Sequence, residues 1–248
     1  MNEEYIRISR TVHHSCKLPE NPDAFVWRYH DLPKFRWLIE KRALYLRRID
    51  LLEDKFEGTY SRQQILDQDD WLRSKGAAEV VHTERQNRIQ QRKSAFASCW
   101  CVNDIDLDLM WKGYIRHPAG VAVKSTVRRL QRTCDAADDM LPIDISLVKY
   151  IDHAFGQHIN YPGIPEVYFT KDAHFCLDSE LRIVCWQGIQ PPPQFRSVPV
   201  QLKDLIVSVV VSPMSPKAAV AQVSALLRDN GLSEVPVEYS RQERPIEE

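Results

Sequence analysis

The stretch Phe25-Val26-Trp27-Arg28-Tyr29-His30 decides how this chain is read. It alternates in character and is rich in aromatic residues, which is the pattern of a strand with two differently occupied faces. Side chains two apart on a strand share a face, so Arg28 and His30 project together. A helix from about Pro33 to Lys41 follows, with Asp31 as its N-cap and Pro33 early in the first turn, where a missing N–H costs little. Leu44 to Arg48 reads as a second strand, and Ile49 to Gly58 carries turn chemistry.

From Ser61 to Lys93 the composition shifts to Gln, Arg, Asp and Glu, with apolar residues at helical spacing and a break near Gly76. We expect a helical insertion over about 61–93. Its residues Trp71, Leu72, Val80 and Val81 outline an apolar stripe fit for a partner. Strand character returns at Ala95 to Val102, Asp108 to Tyr114 opens a short helix, and Gly120 to Lys124 is a strand ahead of a basic helix from Thr126 to Cys134. Ser146 to Asp152, Glu166 to Phe169 and Ser179 to Trp186 read as further strands, and Pro191 to Pro193 as an extended loop. The run Leu205 to Val211 reads as a buried strand, far below the roughly 20 residues that span a bilayer. Ser215 and Pro216 look like the start of a helix that Gly231 stops, and Val235 to Tyr239 is a last strand. The sum is an α+β fold: a mixed, largely antiparallel central sheet covered by helices, as a single domain over 1–248.

Composition narrows the function classes. The 33 basic and 34 acidic residues leave a net charge of -1, so no global field draws the chain to nucleic acid. Met1 to Leu18 contains no apolar run of signal-peptide type, which points to a cytoplasmic protein with no membrane partner and with its six cysteines reduced. With eight glycines the chain has no glycine-rich phosphate loop, and no Gly-x-Ser-x-Gly elbow occurs. Cys99 and Cys101 share a strand face, but no second pair near His174 or Cys176 has ligand spacing, so no metal is expected. His153 and His158 read as surface histidines with ordinary hydrogen bonds.

Four local patterns carry a resemblance: Trp27-Arg28-Tyr29-His30, Asp54-Lys55-Phe56-Glu57-Gly58, Met110-Trp111-Lys112-Gly113-Tyr114, and Ser179-Glu180-Leu181-Arg182. In this order they resemble the bacterial family catalogued as domain of unknown function 2971, over about Phe25 to Tyr239. Lys55 stands where the family's turn usually has proline. The resemblance implies a fold and no agreed activity.

The same residues look like the three-part pattern of ADP-ribosyltransferases, although the usual Ser-Thr-Ser strand is absent. On that resemblance Glu180 is the catalytic carboxylate that holds a ribose hydroxyl as oxocarbenium character develops. Arg28 anchors ribose or pyrophosphate, with His30 and Arg182 beside it, and Trp111 or Tyr114 stacks on nicotinamide. NAD would be the substrate, and a nucleic acid or a protein the acceptor. The rival expectation is a non-catalytic module that binds a nucleotide or nucleic acid, of the kind found in toxin or phage-defence systems. In that reading the basic helix Lys124 to Arg132 offers phosphate contacts or a solvated face. The bland alternative leaves Glu180 and Arg182 as a structural pair and the aromatics in the core.

Overall fold

The computed structural model describes residues 16–116, 119–137, 143–155, 166–186 and 192–241. Strand β1 (Phe25–Asp31) leads into α1 (Leu32–Lys41) and β2 (Ala43–Arg48); a short 3-10 turn (Ile49–Leu51) precedes α2 (Arg62–Ser74) and α3 (Val80–Lys93). Then come β3 (Ala95–Val102), α4 (Asp108–Tyr114), β4 (Gly120–Thr126), α5 (Val127–Asp135), β5 (Ile143–Leu147) and β6 (Lys149–Ile151). The second half adds β7 (Thr170–Asp172), β8 (Glu180–Trp186), β9 (Phe195–Pro199), α6 (Leu202–Leu205), β10 (Ser208–Val211), α7 (Ala218–Asp229) and β11 (Val237–Tyr239). Nine of these strands form one mixed, mostly antiparallel sheet, in which β10 and β11 are a parallel pair. Strands β6 and β7 form a separate parallel pair. The α+β expectation therefore holds.

The chain divides into two compact units, each assembled from separate segments. One comprises 1–18, 46–98 and 138–196; the other comprises 19–45, 99–137 and 197–248. In the second unit β1 lies between β4 and β3, antiparallel to both, with Arg28 opposite Val123 and Trp27 opposite Cys101. Alternation along β1 sends Trp27 and Tyr29 to one face, where they pack with Met110, Trp111, Ile115, Ala122 and Val210. In the first unit β5 and β8 run antiparallel, with Ser146 opposite Arg182. The α2–α3 pair there is the expected helical segment. Ser61 caps α2 by accepting from the Gln64 N–H at 3.3 Å, and Gly76 turns the chain at a φ of +71°.

Several local readings change. Glu166–Phe169 is a 3-10 turn and not a strand, because the Tyr168 carbonyl accepts from Arg182 and its hydroxyl donates to the Gln91 carbonyl, so its groups are spent on tertiary contacts. Only Ser208–Val211 of the apolar run is a strand; Leu202–Leu205 closes a short helix whose Leu202 and Leu205 are buried. Helix α7 starts at Ala218, and the Ser215 hydroxyl instead accepts from the Gly120 N–H at 3.1 Å. Asp31 stands at the N-cap of α1 without a side-chain cap bond; its carboxylate takes Lys34 and the Arg116 N–H. The basic helix α5 is docked through its arginines: Arg128 pairs with Asp23, and Arg129 donates to the carbonyls of Lys203, Asp204 and Ile206. His158 and Pro191 lie outside the described residues. Among the described residues the six cysteines form no disulfide bond. Among the described residues no helix is long and apolar enough to cross a membrane, and no group of His, Cys, Asp or Glu is arranged to hold a metal ion.

Candidate functional site

The six residues singled out from the sequence fall into two sets. Arg28, His30, Trp111 and Tyr114 belong to the second unit, while Glu180 and Arg182 belong to the first.

Within the second unit, β1 separates its own candidates by face. Trp111 lies edge-on to Tyr29, with ring centroids 4.8 Å apart, and Tyr114 stacks on Tyr29 at 6.5 Å. Both therefore sit on the Trp27–Tyr29 side, opposite to Arg28 and His30. Trp111 has no exposed surface, and its indole N–H donates to Asp106 at 2.8 Å, so it serves the core. Tyr114 keeps an exposed ring.

On the other face, Arg28 donates from Nη2 to the Tyr45 carbonyl at 2.7 Å and lies 5.9 Å from the centre of the Trp100 ring. Trp37 meets Tyr45 edge-on at 5.6 Å. Arg28, Trp37, Tyr45 and Cys99 are each only half-buried, so this face is partly open. Among the described residues no carboxylate pairs with Arg28. Burial pulls its pKa down to about 10, opposed only by Cys99 and Tyr45 and by no carboxylate. His30 stands on the same face with a buried Nε2 that makes no hydrogen bond among the described residues. Burial, reinforced by the charges of Arg28 and Lys34, pushes its pKa well down and keeps it neutral. This face thus carries a cation with a carbonyl partner but no carboxylate, and an imidazole nitrogen with no hydrogen bond among the described residues.

In the first unit the opposite condition prevails. Arg182 has no exposed surface and spends its guanidinium on Glu180 Oε1 at 2.6 Å, Glu57 Oε1 at 3.0 Å and the Tyr168 carbonyl at 2.6 Å. The second oxygen of Glu180 accepts from Lys171 Nζ at 3.1 Å, and Lys171 also donates to Asp178. Glu180 is 3% exposed, so both its oxygens are held out of solvent. Three carboxylates face two cations, and burial raises the pKa of Glu57 against the opposing charge of Arg182. Glu57 reaches this cluster from the Asp54–Gly58 turn. Asp54 closes that turn by accepting from the Phe56 N–H at 2.8 Å, and Gly58 (φ +68°) completes it where a Cβ would fall 2.8 Å from Ile49 Cγ2.

Sequence reasoning quoted Glu57 only as part of a turn and passed over Lys171. A buried charge has no local signature when its partners come from distant segments. His153 also differs from its reading: it is 1% exposed, neither ring nitrogen is hydrogen-bonded among the described residues, and Phe56 stacks on it at 5.2 Å. Asp172 Oδ2 lies 3.4 Å from His153 Nδ1.

Comparison with protein-family models gives no match for this chain. Comparisons with curated proteins and with solved structures likewise give none.

Proposed function

We propose that this protein binds a nucleotide-type anion, with Arg28 as the phosphate anchor and His30 as its neighbour. The observation that carries the reading is the unpaired guanidinium. A half-buried guanidinium without a counter-charge is costly, and a ligand phosphate would supply that charge through paired N–H donors. Trp37 and Tyr45 supply flat, partly open surfaces beside the cation for a base or sugar. Retention of a ligand suits the geometry better than NAD cleavage, because the ribosyl-transfer reading needs a carboxylate free to take a ribose hydroxyl, and Glu180 gives both oxygens to Arg182 and Lys171.

The test titrates ATP, ADP and NAD into the protein by calorimetry, beside an assay for nicotinamide release. Wild type is expected to bind, Arg28→Gln to bind at least about tenfold more weakly, as the loss of one charge-assisted bond predicts, and nicotinamide not to be released. Unchanged affinity in folded Arg28→Gln would overturn the anchor. Nicotinamide release that vanishes in folded Glu180→Gln would replace binding with transfer.

A further inference from the structure

The first unit holds an open cleft of about 260 Å³ between the α2–α3 pair and the Gly58–Tyr60 turn. Gly58, Thr59, Tyr60, Ile65 and Ile89 line it together with three arginines of α3, Arg85, Arg88 and Arg92. Arginines at spacings of three and four share one helix face, so the eight residues 85–92 of α3 present all three along roughly 10 Å.

Rows of surface arginines are common and usually loose; these three are clamped. Asp69, whose side chain is fully buried, accepts Arg85 Nε at 3.0 Å and also Arg85 Nη2, while its other oxygen takes Arg88 Nη2 at 3.2 Å. Gln68 takes Arg88 Nη1 at 2.7 Å. Burial pushes the Asp69 pKa up, and the bonds from Arg85 and Arg88 outweigh it, so the net shift is downward and the carboxylate stays charged. Arg92 is fixed by the carbonyls of Glu57 at 2.9 Å and Lys55 at 3.0 Å. Among the described residues, Arg85 Nη1, Arg88 Nε and Arg92 Nη1 make no protein bond. Each guanidinium is therefore oriented by one part of its fork and retains a donor on another.

The charges do not balance. Three guanidiniums meet one bonded carboxylate, which leaves a surplus of two positive charges beside a wall of two isoleucines and a tyrosine. An anion with a flat, largely apolar body fits both features, and a phosphate dianion cancels the surplus. Orientation by Asp69 and by the turn carbonyls lowers the ordering cost that a free arginine would bring to binding.

We propose that the cleft formed by Tyr60, Ile65, Ile89 and the clamped arginines Arg85, Arg88 and Arg92 is a second ligand site, which takes a nucleoside phosphate. The phosphate meets the arginine donors and the base lies on the isoleucine wall. The site uses none of the residues assigned to the Arg28 site and does not rest on that reading.

The experiment uses the full chain and three probes: inorganic phosphate, a mononucleotide, and a single-stranded ten-nucleotide oligomer. Each is titrated into wild type, Ile89→Glu, Arg85→Gln and Arg28→Gln, with circular dichroism as the check on folding. Ile89 is 46% exposed, so a glutamate there adds a negative charge to the cleft without emptying the core. Expected is mononucleotide binding that weakens with salt, falls at least about tenfold in Ile89→Glu and severalfold in Arg85→Gln, and in Arg28→Gln retains a site with that sensitivity. Equal affinity per site for mononucleotide and oligomer assigns the cleft to free nucleotides; markedly tighter oligomer binding assigns it to nucleic acid. Both results support the site. Binding unchanged in folded Ile89→Glu, or lost only in Arg28→Gln, overturns it.

Discussion

Arg28 and Arg182 are two strand arginines in two units of one chain, with opposite surroundings. Arg182 lies among Glu57, Glu180 and a carbonyl and has no exposed surface; among the described residues Arg28 meets one carbonyl, one aromatic face and no carboxylate. The first arrangement answers its own charge and is a structural network. The second leaves a charge open to something outside the protein. An arginine in a strand is therefore informative only together with its counter-charges, and those are set by the fold.

The largest effect should come from Arg182→Met. It strands two buried carboxylates, at a cost of about 3–5 kcal/mol in chemical denaturation, whereas replacing Glu57, Glu180 and Arg182 together by apolar residues should recover most of that loss. If the single variant is nearly neutral, the cluster is not the self-satisfied network described.

Arg28→Met should move the other way. Removing an unanswered cation is expected to raise stability by about 1–2 kcal/mol, shifting Tm upward by several degrees, while weakening ligand binding. The pH dependence has a definite sign. With a folded-state pKa of about 10, well below that of an unfolded arginine, the unfolded chain holds more protons above pH 10, so wild-type stability gains with rising pH there. The advantage of Arg28→Met should accordingly be constant below pH 10 and shrink above it. A destabilised Arg28→Met would make Arg28 a structural residue like Arg182.

His30→Leu sharpens the contrast at acid pH. The folded state keeps His30 neutral well below its usual pKa of 6.5, so the unfolded state takes up the extra proton and wild type loses stability as pH falls below about 6.5. Denaturation at pH 7.5 and 5.0 should show a smaller acid loss in His30→Leu than in wild type; equal losses would mean that His30 already has a partner.

The smallest effect concerns the residue ahead of Glu180. Ser179 adopts a φ of +44°, a left-handed conformation that glycine takes without steric cost. Ser179→Gly should change stability by no more than about 1 kcal/mol, in the stabilising direction, and leave the Glu180–Arg182 network in place. A large loss would show that the serine itself holds the start of β8.

Much of the framework was legible in the sequence. β1, α1, β3, α4 and α5 fall within a residue or two of their readings because each carries a period, a cap or a breaker that acts over a few residues. The α2–α3 pair was legible from its polar composition and Gly76. The pairing of Arg28 with His30 and of Glu180 with Arg182 followed from strand alternation alone.

Which of these residues share a site was not legible. Alternation says that Arg28 and His30 face together, but it cannot say that α4 packs its Trp111 and Tyr114 against the opposite face, since that depends on which side of β1 the α4 segment crosses. Nor could Glu180 and Arg182 be told from a catalytic pair until Glu57 and Lys171, 123 and 9 residues from Glu180, came into contact with them. The sequence by itself determined which groups are charged, which are apolar, and on which side of their own strand they lie, because those are properties of a residue and its near neighbours. The tertiary structure decided which charges are answered and which remain open, because electrostatic and hydrogen-bond partners are chosen by distance in space and not along the chain.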